Sequence, residues 1–294
     1  MRPAERTLLL LCGALGDGLR PLSLRAYRTL RFRAAQEKPS AGRSADESYF
    51  LSLGYDAAAA EHITALLERQ AALDVFLARA AQQGVTVLTR LSERFPARLR
   101  RLENDSPALL FWRGDLRLLE RPCVCLVGSR ALLPENRVFA ERIGRLAARE
   151  GFVLVSGDAA GADRAAQDAC LSAGGNVICI VPDELTRHAP REHMLFCSEE
   201  GYQCAFTSAR ALHRNHLIHA LGEKVFVAQC GLRTGGTWSG TADNLRRGLS
   251  PVFAFGDGSE AMTALASLGA ELLPQAPASI ASLAPRQLSI FDDF

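Results

Sequence analysis

Apolar residues recur at three- and four-residue intervals over 8–15, 22–32, 57–69 and 71–83, with breaks at Gly16, at Asp17-Gly18, over 39–42 and at Gly54. That period is helical, and it predicts a small, separate domain of short amphipathic helices over residues 1–83. Residues 84–121 are mixed. Val85 to Thr89 reads as a short strand, Arg94 to Leu102 as a helix and Ser106 to Gly114 as an edge strand, together a segment connecting to the core. From Pro122 the pattern changes to continuous apolar runs over 123–127, 152–155, 176–181, 224–230 and 251–255, alternating with helical periodicity. Strands that alternate with helices and are apolar throughout predict an α/β fold: a Rossmann-like, doubly wound, mostly parallel sheet of about five strands over 122–273, preceded by the helical domain. The helix over 135–150 places Val138, Phe139, Ile143, Leu146 and Ala147 on one face and stops at Gly151; a second over 161–173 stops at Gly174-Gly175. Residues 182–202 read as irregular and polar, 209–221 as a helix, and the Pro/Ala/Ser-rich stretch 274–294 as a flexible tail outside the core.

Composition narrows the class. With 48% apolar and 22% charged residues the chain is an ordinary globular one. Its net charge of +2 divides unevenly, 16 Lys+Arg against 11 Asp+Glu over 1–104 and 18 against 21 over 105–294. That balance does not by itself announce a nucleic-acid binder, so such a reading must rest on local geometry. The eight cysteines form no C-x-x-C pair, and several lie in strand-like runs, which predicts a reduced, cytoplasmic protein without a metal site. The run Leu8 to Cys12 leads into Asp17 and Arg20 without a cleavage site, and no apolar run approaches the ~20 residues of a membrane span.

The candidate chemistry sits where the strands end. Val127 is followed by Gly128-Ser129-Arg130, Val155 by Ser156-Gly157 and then Gly161 and Asp163, and strand 224–230 by a loop containing Gly236-Thr237. Small-residue turns feeding helices present backbone N–H groups to phosphate, and three on one sheet edge make a crevice. Arg130 and Arg214 are suited to charge-assisted bonds to phosphate oxygens, or equally to structural ion pairs. Asp163 either orders its loop or bonds a sugar hydroxyl, while Asp158 argues against a polyanion there. Trp238 is a stacking candidate or a core residue, and Arg25, Arg28, Arg31 and Arg33 read as the solvated face of a helix, with contact to phosphate as the alternative. No G-x-G-x-x-G follows the first core strand and no Gly-Lys-Thr is present, so neither dinucleotide nor P-loop chemistry is expected.

As an ordered set, Val127-Gly-Ser-Arg130, Val155-Ser-Gly157 with Ala159, Gly161 and Asp163, Arg214-Asn215, and Gly236-Thr237 reaching Gly248 resemble the DprA/Smf DNA-processing family, as do Arg94-Phe-Pro-Ala-Arg-Leu and Pro107 to Gly114 upstream. The resemblance covers Gly84 to Phe255 well and the helical part loosely. It implies a SAM or helix-hairpin-helix-like N-terminal domain and a cytoplasmic homodimer. Its function would be to bind single-stranded DNA and load RecA recombinase in recombination or natural transformation, with no catalytic residue, cofactor or membrane. The implied contacts are Gly128, Ser129, Arg130, Ser156, Gly157, Gly161, Asp163, Arg214, Asn215, Gly236 and Thr237. Departures include Gln167 for the family's His, His216 for Arg and Ala211 where a base-stacking Phe is expected. Two other readings compete: a sensor binding a single nucleotide, and a nucleotide phosphoribohydrolase like the LOG family, whose carboxylate position here holds Asn244, with Asp243 one place early. The tail segment Gln287-Leu288-Ser289-Ile290-Phe291 resembles the peptide that docks repair proteins on the β sliding clamp, with the alternative that it folds back on its own domain. No winged-helix domain of the kind many relatives carry at this end is expected.

Overall fold

The computed structural model describes residues 1–37 and 44–284, arranged in two compact units. The first comprises Met1–Trp112 with Ser198–Cys204. Its helices are α1 (Pro3–Cys12), α2 (Leu24–Gln36), α3 (Glu47–Ser52), α4 (Ala57–Glu68) and α5 (Gln70–Gln82). Leu8, Leu9, Leu10 and Leu11 are all buried, so α1 is covered on every side and forms the unit's centre. Side-chain oxygens start three of the helices: Ser23 accepts from Ala26 N, Asp46 from Tyr49 N and Asp56 from Ala59 N. Arg69, only 7% exposed, closes the far end of α1 by donating from Nε to Leu10 O at 2.9 Å and from Nη2 to Gly13 O at 2.8 Å while pairing with Asp17. β1 (Thr86–Thr89) and β2 (Leu109–Gly114) pair antiparallel, with the short α6 (Ala97–Arg100) between them.

The expected connecting segment 84–121, packing on the core, is not a part of its own. Val85, Leu88, Phe95, Leu99 and Leu102 are buried, and residues up to Trp112 belong to the helical unit. Tyr202, from the Ser198–Cys204 segment, packs on Phe76 and Phe111 with ring centroids 4.9 and 6.1 Å away and donates its hydroxyl to Phe76 O. The six-residue α3 is too short to show a period, which is why the sequence pattern misses it.

In the second unit, β3 (Cys123–Val127), β4 (Val153–Ser156), β5 (Asn176–Ile180), β6 (Met194–Ser198), β7 (Val225–Val227), β8 (Val252–Phe255) and β9 (Glu271–Leu273) line up in the order β6-β5-β4-β3-β7-β8-β9, every pair parallel. Their helices are α7 (Pro134–Arg149), α8 (Ala162–Ser172), α9 (Ser208–His213), α10 (Asn215–Leu221), α11 (Gly235–Arg247) and α12 (Glu260–Ser267). The chain steps from β3 to β4 in one direction and from β7 to β8 in the other. Right-handed crossovers then place α7 and α8 on one face and α11 and α12 on the other, the doubly wound arrangement, with a switch point between β3 and β7. Two strands exceed the expected five. β6 lies inside the stretch read as irregular, and β9 is three residues long.

Two finer expectations change. Val138 is 53% exposed, so the buried stripe of α7 runs through Phe139, Ala140, Ile143 and Ala147 without it. Residues 274–284 are not a free tail: Ala276 and Ile280 are buried, and the Glu150 carboxylate accepts from Ser279 Oγ, Ile280 N and Ala281 N at 2.8–3.1 Å. The apolar side chain and the carboxylate clasp outweigh the Pro/Ala/Ser composition that suggested a loose segment. Gln287, Leu288, Ile290 and Phe291 lie outside the described residues. A Cβ on Gly144 of α7 would sit 2.1 Å from Ala166 O of α8. Among the described residues no helix is long and apolar enough to cross a membrane.

Candidate functional site

The switch point opens at the carboxyl ends of β3 and β7, and the turns after these strands are stitched together there. Ala228 N donates to Val127 O at 3.0 Å and Ser129 N to Gln229 O at 2.8 Å; Ala162 N, the first of α8, donates to Ser129 O. Gly128 is required because a Cβ would meet the Ala162 Cβ at 2.5 Å. Gly161 combines φ of +80° with the Ser129 and Arg130 carbonyls, each 2.3 Å from where its Cβ would lie. These contacts hold Ser129 and Arg130 on the rim of a crevice of about 550 Å³.

The floor is electrostatic. Asp163, in the first turn of α8, is 6% exposed and accepts from Gly157 N at 3.0 Å and Ala159 N at 3.2 Å. Burial pushes its carboxyl up to about 6, against the pull of the Arg214 guanidinium and the two backbone bonds. Arg214, between α9 and α10, is itself 7% exposed; its Nη1 donates to Ile180 O at 2.7 Å, and its Nε has no partner among the described residues. Burial is the main influence lowering its pKa, and the nearby carboxylate of Asp163 opposes it. The guanidinium fits only because position 157 is glycine, since a Cβ there would lie 1.8 Å from Nη1. Asp158, the acidic residue that weighed against an anion, is neutralised beside the crevice: Arg164 Nη2 approaches it at 2.9 Å and His188 Nδ1 at 3.3 Å.

The remaining walls come from α9, α10 and the start of α11. Thr234 is the N-cap of α11 but makes no side-chain cap bond, so the first amides of that helix, at Gly235, Gly236 and Thr237, border the crevice without a cap. Asn215 Nδ2 donates to Gly236 O at 3.0 Å and fixes that turn. Phe206, just before the Thr207 cap of α9, also lines the crevice and is 49% exposed.

Of the residues picked from sequence, Gly128, Ser129, Arg130, Asp163, Arg214, Asn215, Gly236 and Thr237 come together around one cavity. Ser156, Gly157 and Gly161 do not line it. They act from behind, Ser156 as the hydroxyl partner of Gln167 Nε2 and the two glycines by admitting Arg214 and the Arg130 carbonyl. Among the described residues the side chains of Arg130, Arg137 and Arg233 make neither an ion pair nor a hydrogen bond. Phe206 is not among the residues picked from sequence, where the aromatic is expected at position 211; the available signal is an aromatic residue next to a helix cap in a polar stretch. Asn244, where a hydrolase carboxylate would fall, is fully buried, with Nδ2 3.2 Å from His219 Nδ1 and Oδ1 accepting from Ser250 N, and Asp243 faces Arg246 and Arg247.

The profile of the family described as DNA recombination-mediator protein A matches residues 86–283. A DNA processing protein DprA from Streptococcus pneumoniae is 33% identical over 141 residues, covering 45% of this chain and 50% of that one. The X-ray structure of the DprA from the same species superposes with a TM-score of 0.70 over 94% of this chain and 96% of that chain, at 23% identity. A DprA from Helicobacter pylori, whose structure describes its single-stranded DNA binding mode, superposes with a TM-score of 0.54 over 64% of this chain and 90% of that one, also at 23% identity. The chain spans about half the length of the curated relatives it matches.

Proposed function

The chain belongs to the DNA recombination-mediator protein A family, and on that premise we propose that its switch-point crevice holds a single strand of DNA, in an accessory and non-catalytic step of recombination or natural transformation. The observation that carries this reading is the juxtaposition, around one cavity, of the start of α11 without a side-chain cap, an Arg130 whose side chain has no partner among the described residues and an exposed Phe206. The amides and the guanidinium suit phosphate oxygens. An exposed aromatic ring beside them suits an unpaired base, which a duplex does not offer. Buried Arg214 and Asp163 set the floor, and the guanidinium lends positive potential without needing to touch the strand. The single-stranded DNA binding described for the Helicobacter pylori relative supports the same assignment.

A cavity of about 550 Å³ is also the size of a small-molecule site. That favours, as a second reading, a single nucleotide held in the same place. We further propose, from family membership, a cytoplasmic homodimer with RecA recombinase as its protein partner and, from the peptide resemblance of the tail, Gln287, Leu288, Ile290 and Phe291 as a ligand for the β sliding clamp.

The test is fluorescence anisotropy of a labelled ~30-nucleotide single strand at several salt concentrations, with duplex and mononucleotide competitors. The strand reading expects salt-sensitive binding that duplex and mononucleotide compete for weakly. Arg130→Ala with Phe206→Ala should weaken that binding roughly tenfold or more. Efficient displacement by a mononucleotide would replace the strand with the sensor reading.

A further inference from the structure

The first unit carries a groove of its own, about 650 Å³ in volume, between α2 and the segment after β1. Arg25, Arg28 and Arg31 reach it from successive turns of α2, and Arg90 from the opposite side. The sequence of α2, LRAYRTLRFRAAQ, contains no carboxylate. Its fourth arginine, Arg33, is already engaged by the carbonyl of Gly54 and the ring of Tyr55. Helical arginines elsewhere, Arg145 with Glu141 and Arg246 with Asp243, sit beside acids. Among the described residues none of the four groove arginines forms an ion pair. Arg28 Nη1 donates to the amide oxygen of Asn104 at 2.8 Å, and Arg90 donates to Ser106 Oγ and Arg100 O, each at 3.1 Å. Burial, reinforced by the charges of Arg28 and Arg100, lowers the pKa of Arg90. Glu103 and Asp105 flank Asn104 in the same short turn, and neither forms an ion pair with any of the four arginines. At the lip of the groove Phe32 is 67% exposed.

Guanidinium groups gathered without acids attract an anion. Their spacing of three residues repeats at ~4.5 Å along the helix, which suits a chain of phosphates better than one. An exposed ring among them gives a base a surface to stack on, a feature that an acidic peptide would leave unused.

We propose that this groove is a second nucleic-acid site: Arg25, Arg28, Arg31 and Arg90 contact the phosphates of a single strand and Phe32 stacks on one of its bases. The site is separate from the crevice of the second unit and does not depend on it.

The experiment uses the full chain in four forms: unchanged, Arg25→Ala with Arg31→Ala, Phe32→Ala, and the crevice variant Arg130→Ala with Phe206→Ala. Binding of a 30-nucleotide strand containing 5-bromodeoxyuridine is measured across salt concentrations, and photo-crosslinked peptides are mapped by mass spectrometry. All the altered α2 residues are exposed, so the fold is expected to persist, and circular dichroism checks this. Removing two arginines should flatten the slope of log K against log salt by about 1.4. Phe32→Ala should weaken binding roughly fivefold or more. Crosslinks should map to 24–36 even in the crevice variant. Unchanged slope and affinity in both α2 variants, or crosslinks confined to the second unit, would overturn the proposal while leaving the crevice reading intact. Loss of all binding in the crevice variant alone would likewise overturn it. Binding that survives the crevice variant and is abolished by the α2 changes would sustain it and count against the crevice. Polyglutamate competing as well as the strand would make the groove a site for an acidic protein and overturn the assignment.

Discussion

Gly157 has no side chain because Arg214 occupies the place a Cβ would take. Gly157→Ala must therefore expel a buried guanidinium from beside Asp163, and we expect a loss of about 2 kcal/mol or more in denaturant unfolding. Removing the cation outright is worse, since Arg214→Ala leaves Asp163 buried without its opposite charge; about 3 kcal/mol is expected at pH 7. The carboxyl itself is a reporter. Its pKa of about 6 in the folded protein lies above the unfolded value of 3.8. Its contribution to stability is thus fullest below 3.8 and declines as pH rises through 6. Carbon-13 NMR should find the Asp163 midpoint near 6, and Arg214→Met should move it upward, because the guanidinium is the largest influence holding it down. A midpoint that fell in this variant would contradict the arrangement. Only part of this is legible in the sequence: Asp163 reads there as ordering its loop or bonding a sugar hydroxyl and Arg214 as a phosphate ligand or an ion-pair partner, while only the proximity of Arg214 to Gly157 and Ile180 shows it to be buried.

At the scale of elements the chain is more transparent. The turns at Gly128, Gly157 and Gly236 were readable because an apolar run ending in small residues leaves little else for a parallel strand to do. The break of the 209–221 helix at Arg214 into α9 and α10 was not readable, since Arg214 keeps helical φ and ψ of −61° and −17° and no glycine or proline marks the place. Nor was β6, whose Met-Leu-Phe-Cys-Ser run is hidden among Arg191, Glu192, His193, Glu199 and Glu200. The missing cap on α11 separates stability from binding. Thr234→Asp should supply the cap and stabilise the helix by ~0.5–1 kcal/mol, seen as a rise in melting temperature. The same carboxylate would repel phosphate, so strand affinity should fall. A parallel rise in both would mean the amides do not face the ligand.

Over the whole molecule, the two-part organisation was legible and its boundary was not, because the boundary is set by burial of Val85, Leu88 and Phe95 rather than by composition. The end of the second unit was misjudged for a related reason: Ile280 is one apolar residue among prolines, alanines and serines, yet it is fully buried and the backbone beside it is held by Glu150. Ile280→Ala should cost about 2–4 kcal/mol, read by thermal unfolding. A cost below ~0.5 kcal/mol would mean that the clasp is superficial. Gly144 couples packing to recognition across the second unit. It has no contact with the crevice, yet Ala166, against which it rests, lies one turn along α8 from Asp163. A methyl group at position 144 would act as a shim, lifting α8 and with it the anchored loop beneath the crevice. Gly144→Ala should therefore produce a conditional lesion, with strand affinity near normal in the cold and failing several degrees below the temperature at which the protein unfolds.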